Sequence, residues 1–162
     1  MLVKVITDGV VLYSLGGWDA PWGIEYRIDI LNGFVLVIVS AIGAVVMPYA
    51  KISIQFEISK DRIYLFYSML LLCLTGLLGI TITGDAFNLF VFLEISSLSS
   101  YVLISMGKDK RSLTAAYRYL IMGTIGATFY VIGVGLMYMM TGTLNIYDLA
   151  QIMPTISSSR TI

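Results

Sequence analysis

Histidine is absent from the 162 residues of this chain, cysteine occurs once and proline three times. Without histidine the chain cannot offer imidazole to haem or zinc, and it cannot build a Ser-His-Asp triad. The lone thiol, Cys73, supports neither a disulfide framework nor a metal cluster. Set in the apolar run 70–74, it reads as a small core-filling side chain. Charge is scarce too, at 12% of residues, where soluble domains carry about 25%. Ten Lys and Arg balance ten Asp and Glu. No net field and no basic patch interleaved with aromatics is available to hold nucleic acid.

What is plentiful is apolar surface. Hydrophobic residues make up 58% of the chain and the mean hydropathy is +0.89, which identifies an integral membrane protein. The start, Met1 to Asp8, puts an acid and then Gly9 where a signal peptide would need its apolar region. Low-complexity tracts, long linkers and fixed-period repeats are lacking. The expected organisation is a single membrane domain over 1–162: an external hairpin segment (1–29), a four-helix membrane region (30–140) and an external tail (141–162).

Residues 10–29 hold two β-branched and aromatic runs separated by Gly16, Gly17, Asp19 and Pro21, the pattern of a short β-hairpin. Trp18, Trp22 and Tyr26 suit the membrane–water boundary, where amphipathic rings gather. Four transmembrane helices are predicted beyond it, over about 31–49, 63–83, 86–106 and 112–140. Each is long enough for a hydrocarbon core of about 30 Å at 1.5 Å per residue. The first is expected to end near Pro48. The turn Thr83-Gly84-Asp85 is so short that the second and third helices must be antiparallel neighbours.

Orientation follows from the basic residues. Segment 50–62 carries Lys51, Lys60 and Arg62, and segment 107–111 carries Lys108, Lys110 and Arg111. With four spans these segments share one side, against Lys4, Arg27 and Arg160 on the other. The positive-inside rule makes 50–62 and 107–111 cytoplasmic and both termini external.

Glu94 is the only acid in the third span, in the run Gly84-Asp-Ala-Phe-Asn-Leu-Phe-Val-Phe-Leu-Glu94-Ile-Ser-Ser-Leu-Ser-Ser-Tyr101. A carboxylate at mid-membrane depth is costly, and it marks a paired group, a water-filled cavity or a role in ion movement. Helical spacing gives it Phe87, Phe90, Val91, Ser97, Leu98 and Tyr101 as face neighbours, so Ser97 and Tyr101 are expected to hold water or donate to it. Burial favours a neutral carboxyl and a nearby cation favours the anion. A proton carrier needs those two effects to oppose each other. The other reading is a structural, hydrogen-bonded acid.

Arg118 is the second intramembrane charge, four to six residues inside the fourth helix. It either biases the carboxylate or snorkels to the headgroups. Depth arithmetic leaves a gap of roughly 10 Å between it and Glu94. Gly123, Gly126 and Ala127 form a small-residue notch suited to helix packing. Asp85 and Asn88 fit a helix cap.

The runs 83–101, 115–130 and 141–150, together with Gly16-Gly-Trp-Asp-Ala-Pro-Trp-Gly23, resemble the proton-conducting membrane transporter family. That family includes the D-type subunit of Mrp cation/proton antiporters, antiporter-like subunits of respiratory complex I and hydrogenase membrane subunits. The resemblance spans about residues 10–150. It implies that Glu94 is similar to the key glutamate of the family's fifth helix, and that Arg118 stands where most relatives have lysine. The four helices look like the third to the sixth of a longer set, so the chain is expected to be an incomplete member.

The resemblance further implies part of a multisubunit monovalent cation/proton antiporter in the inner membrane, working on protons and Na+ with other subunits and lipid as partners. No cofactor or metal is expected, and a transporter subunit is favoured over an enzyme. The alternatives are a piece of a complex I-type NADH-quinone oxidoreductase or hydrogenase membrane subunit, and a non-conducting scaffold or assembly module.

Overall fold

The computed structural model describes residues 2–156. Arg160, assigned above to the external side, lies outside the described residues. The elements run α1 (Leu2–Asp8), β1 (Val11–Ser14), β2 (Glu25–Ile28), α2 (Ile30–Glu57), α3 (Ile63–Ile82), α4 (Ala86–Ser105), α5 (Lys110–Thr141) and α6 (Ile146–Ile152). Helices α2 to α5 are each long and apolar enough to cross a membrane. The expected all-α membrane fold with an N-terminal hairpin is therefore present, with β1 and β2 paired antiparallel in the register Val11 to Ile28 and Ser14 to Glu25.

One boundary and two short helices differ from the sequence expectation. Helix α2 runs through Pro48 to Glu57 and does not stop at residue 49. Proline removes one helical hydrogen bond but does not forbid continuation. Beyond it, Ala50, Ile54 and Ile58 are buried against Ile63, Phe66, Tyr67, Leu70 and Met106, and this packing draws the chain on for two more turns. Lys51 therefore lies in a helix, and the link to α3 shrinks to a few residues.

Helix α1 was not expected within the hairpin segment. Val5 is only 1% exposed, and Leu2 packs over Gly33 of α2. Nor is 141–162 simply a tail: Gly142, in the left-handed region at φ 72°, ends α5. Asn145 then starts α6, its side chain accepting from the Tyr147 and Asp148 amides at 3.0 and 3.2 Å. Leu149 of α6 closes a small core with Ala86 and Val134.

The two ends of the bundle are built differently. At one end the basic segments meet: the Lys108 ammonium donates to the Phe56 carbonyl at 2.7 Å, near the end of α2. At the other end the α3–α4 turn is clamped from both sides. The Gly84 amide donates to the Glu25 carbonyl of β2, the Ile146 amide donates to the Gly84 carbonyl, and the Ala86 amide donates to the Leu144 carbonyl, each at 2.8 Å. The Arg27 guanidinium lies 4.5 Å above the Tyr147 ring, tying β2 to α6.

Candidate functional site

Helix α4 positions the site, and its sequence divides it into two faces. One face carries Phe92, Ser96 and Ser100, spaced four apart, and packs on α3. The approach is close because α3 offers glycines: a Cβ on Gly76 would lie 2.7 Å from the Ser96 amide nitrogen, and one on Gly79 would overlap the Phe92 ring. The Cys73 sulfur sits 3.4 Å from the Ser100 hydroxyl and 3.8 Å from that of Ser96. Ser99, 1% exposed, donates back to the Ile95 carbonyl at 2.6 Å, and Ser100 donates to that of Ser96 at 2.8 Å. These hydroxyls are satisfied within the seam, and Cys73 fills it as its sequence setting suggests.

The other face carries Phe90, Glu94 and Ser97 toward α5. Here the helices do not close. A cavity of about 280 Å³ lies between them, lined by Phe90, Leu93, Glu94, Ser97, Gly123, Gly126, Ala127 and Tyr130. Glu94 is half-buried in its wall. It stands eight residues past the first residue of α4, about 12 Å along the axis, near the middle of a span. The cavity has ample room for several waters, since one needs about 10–15 Å³ of such space and polar partners. Glu94, Ser97 and the Tyr130 hydroxyl are the polar groups available.

Of the predicted site residues, Glu94 and Ser97 share this cavity. Tyr101 does not. It lies deeper along α4, 8% exposed, with its hydroxyl pressed over Gly123 and its ring edge-on to Tyr119 at 5.0 Å. Its seven-residue spacing from Glu94 puts it on the same stripe, but the close approach of α5 at Gly123 turns it into a packing residue. Arg118 is exposed and is not among the lining residues. The small-residue notch lines the cavity throughout, but Gly123 also takes the Tyr101 hydroxyl, whereas Gly126 has open space beside it.

Sequence reasoning missed Tyr130. Its hydroxyl donates to the Ala86 carbonyl at 3.0 Å, and its ring stacks on Phe90 with centroids 6.4 Å apart and planes 12° from parallel. The pair covers the cavity on the side toward the α3–α4 turn. A tyrosine seven residues beyond Gly123 was the available signal.

Above that cover lies a buried polar knot. Thr83, Asp85, Asn88 and Asn145 are each 8% exposed or less. The Asp85 carboxylate caps α4 by accepting from the Asn88 amide at 2.7 Å, and Asn88 donates from its side chain to the Thr83 hydroxyl at 2.9 Å. Asp85 also forms a β-bridge with Asn145. Burial pushes the Asp85 carboxyl above the usual carboxylate range, while the backbone amides of Asn88 and Phe87 pull the other way.

Comparison with known proteins points to a family. A family profile described as NADH:quinone oxidoreductase/Mrp antiporter, transmembrane, matches residues 83–162. The N-type subunit of the NADH-quinone oxidoreductase of Desulforudis audaxviator is 48% identical over 147 residues, 91% of this chain and 29% of that protein. The D-type subunit of the Na(+)/H(+) antiporter of Alkalihalophilus pseudofirmus is 36% identical over 150 residues, 93% of this chain and 30% of that protein. The solved Mrp complex of a Dietzia species superposes with a TM-score of 0.75 at 26% identity, covering 89% of this chain and 28% of the matched one. The chain thus spans about 30% of the length of the curated relatives it matches. Over residues 83–162 it carries the transmembrane domain of the NADH:quinone oxidoreductase/Mrp antiporter family, and over about nine-tenths of its length it is similar to D-type antiporter and N-type oxidoreductase subunits.

Proposed function

We propose that this chain takes part in proton translocation as part of a multisubunit monovalent cation/proton antiporter, with Glu94 as its protonatable station. The observation that carries the reading is the cavity beside Glu94. An intramembrane acid kept at the wall of a roomy, partly polar space suits proton exchange better than a structural role, which would enclose it among hydrogen-bond donors. Ser97 and the Tyr130 hydroxyl would order water there. Arg118, outside the cavity lining, would act through the local potential, since a guanidinium keeps its proton. Tyr101 would fix the spacing of α4 and α5.

The partners are the other subunits of the complex and the surrounding lipid, and the transported ions are protons and Na+. The membrane is the inner one. The basic end of the bundle, where Lys108 meets Phe56, would face the cytoplasm, and the hairpin and α6 would lie outside.

A second reading is favoured by the 48% identity to an N-type subunit: the same proton station would serve a complex I-type NADH-quinone oxidoreductase. The two readings share the chemistry of Glu94 and differ in what drives it. In the reassembled complex, Glu94→Gln should abolish proton flux across proteoliposome membranes while leaving assembly intact. Flux at the wild-type rate would remove Glu94 from the mechanism. Flux driven by a Na+ gradient supports the antiporter reading, and flux that requires quinone reduction supports the second.

A further inference from the structure

We propose that Asp85 is the external proton acceptor that serves Glu94, passing protons from an outer cleft into the cavity between α4 and α5. The proposal rests on the reading of Glu94 as a proton station and adds the group that feeds it.

The placement of Asp85 is the argument. On its outer side is a cleft of about 340 Å³ whose lining includes Thr83, Gly84 and Asn145. All three are immediate partners of Asp85: Gly84 precedes it, the Thr83 hydroxyl accepts from its amide at 3.4 Å and Asn145 is its β-bridge partner. On its inner side, Tyr130 bonds to the carbonyl of the next residue, Ala86, and itself lines the Glu94 cavity. Asp85 itself lines neither space; its immediate neighbours Thr83 and Gly84 line the outer one and Tyr130, bonded to the next residue, lines the inner one, which sets Asp85 between them.

The elements packed around the α3–α4 turn carry other charged and titratable groups. Glu25, Arg27 and Asp29 line the outer cleft; Tyr130 stands on α5; and Asp148 of α6 accepts from the Thr143 hydroxyl at 3.4 Å. Glu94 lies nine residues along α4, roughly 13 Å away on the helix axis. That distance exceeds one hydrogen bond, so transfer passes the Tyr130 hydroxyl at the cover and then runs along water in the cavity. A proton from external water adds to the Asp85 carboxylate and then moves through that chain to the Glu94 carboxylate. Asp85 is left anionic for the next proton, and nothing is oxidised or reduced.

A cap alone would explain a carboxylate at this position, and asparagine caps a helix as well as aspartate does. Asp85→Asn therefore keeps the structural role and removes only the proton. In the reassembled complex, Asp85→Asn is expected to assemble normally and to lower proton flux at least about a hundredfold, the low side of what positioned proton-transfer groups contribute. Glu94→Gln, run beside it, is expected to abolish flux. If Asp85→Asn conducts at the wild-type rate while Glu94→Gln is silent, Asp85 is a cap and the proposal is overturned. If Glu94→Gln conducts, the proton-station reading itself falls.

A measurement on the unaltered complex covers the case in which the variant fails to assemble. An apolar carbodiimide, which attacks protonated carboxyls, should modify Asp85 with a rate that falls as pH rises, read by peptide mass spectrometry. An Asp85 that stays unmodified at every pH where the complex is intact contradicts the proposal.

Discussion

Helix α4 makes two seams, and they are opposites. Against α3 it meets Gly76 and Gly79, packs Phe92, buries Ser96 and Ser99, and leaves no room for a methyl group. Against α5 it presses Tyr101 onto Gly123, then parts around Glu94 and Ser97 to leave about 280 Å³. Two serines one residue apart, Ser96 and Ser97, thus have different lives. One is in a dry contact beside Cys73, and the other lines a space with room for water. Hydroxyl content alone does not mark a polar path; the face on which each hydroxyl falls does.

The largest expected contrast between the seams is functional. Glu94→Gln should silence proton flux, whereas Cys73→Ala on the α3 side should leave it unchanged, both measured in proteoliposomes. The next contrast is in stability. Gly76→Val forces side-chain carbons into the Ser96 backbone and should cost about 1–3 kcal/mol or prevent assembly, as overpacking does. Gly126→Ala, with nothing within 4 Å of its added carbon, should stay within about 0.5 kcal/mol of wild type in thermal unfolding of the detergent-solubilised protein.

A smaller contrast concerns pH. Burial raises the Asp85 carboxyl, so the fold favours its protonated form. That contribution to stability is complete below the unfolded-state value and is lost as pH rises through the higher folded-state value. Wild type should therefore lose thermal stability across that window relative to Asp85→Asn, which has no proton to lose. Parallel melting curves for the two proteins over the window would remove this assignment.

The spans were legible in the sequence because length and absence of charge suffice for a membrane helix. The end of α2 was not, because Pro48 and Lys51 look like a stop when the packing of Ala50 and Ile54 cannot be seen. The seven-residue helices α1 and α6 depend on tertiary support from Gly33 and from Ala86 with Val134, which no local pattern encodes. Within the site, the three-residue step from Glu94 to Ser97 was readable from helical geometry. The surroundings of Tyr101 and Arg118 were not, since periodicity gives a stripe along a helix and does not say which neighbour comes close to it. Tyr130 escaped notice because its role depends on a bond to Ala86, 44 residues away.

The central claim, that α4 has one wet seam and one dry seam, is tested most directly by thiol accessibility in the assembled membrane complex. With Cys73 changed to alanine, Ser97→Cys should react with a membrane-impermeant, water-soluble maleimide and be protected when Glu94 is replaced by a bulky leucine. Ser96→Cys, one residue away, should remain unlabelled. Equal labelling at both positions, or labelling at residue 96 alone, would contradict the account.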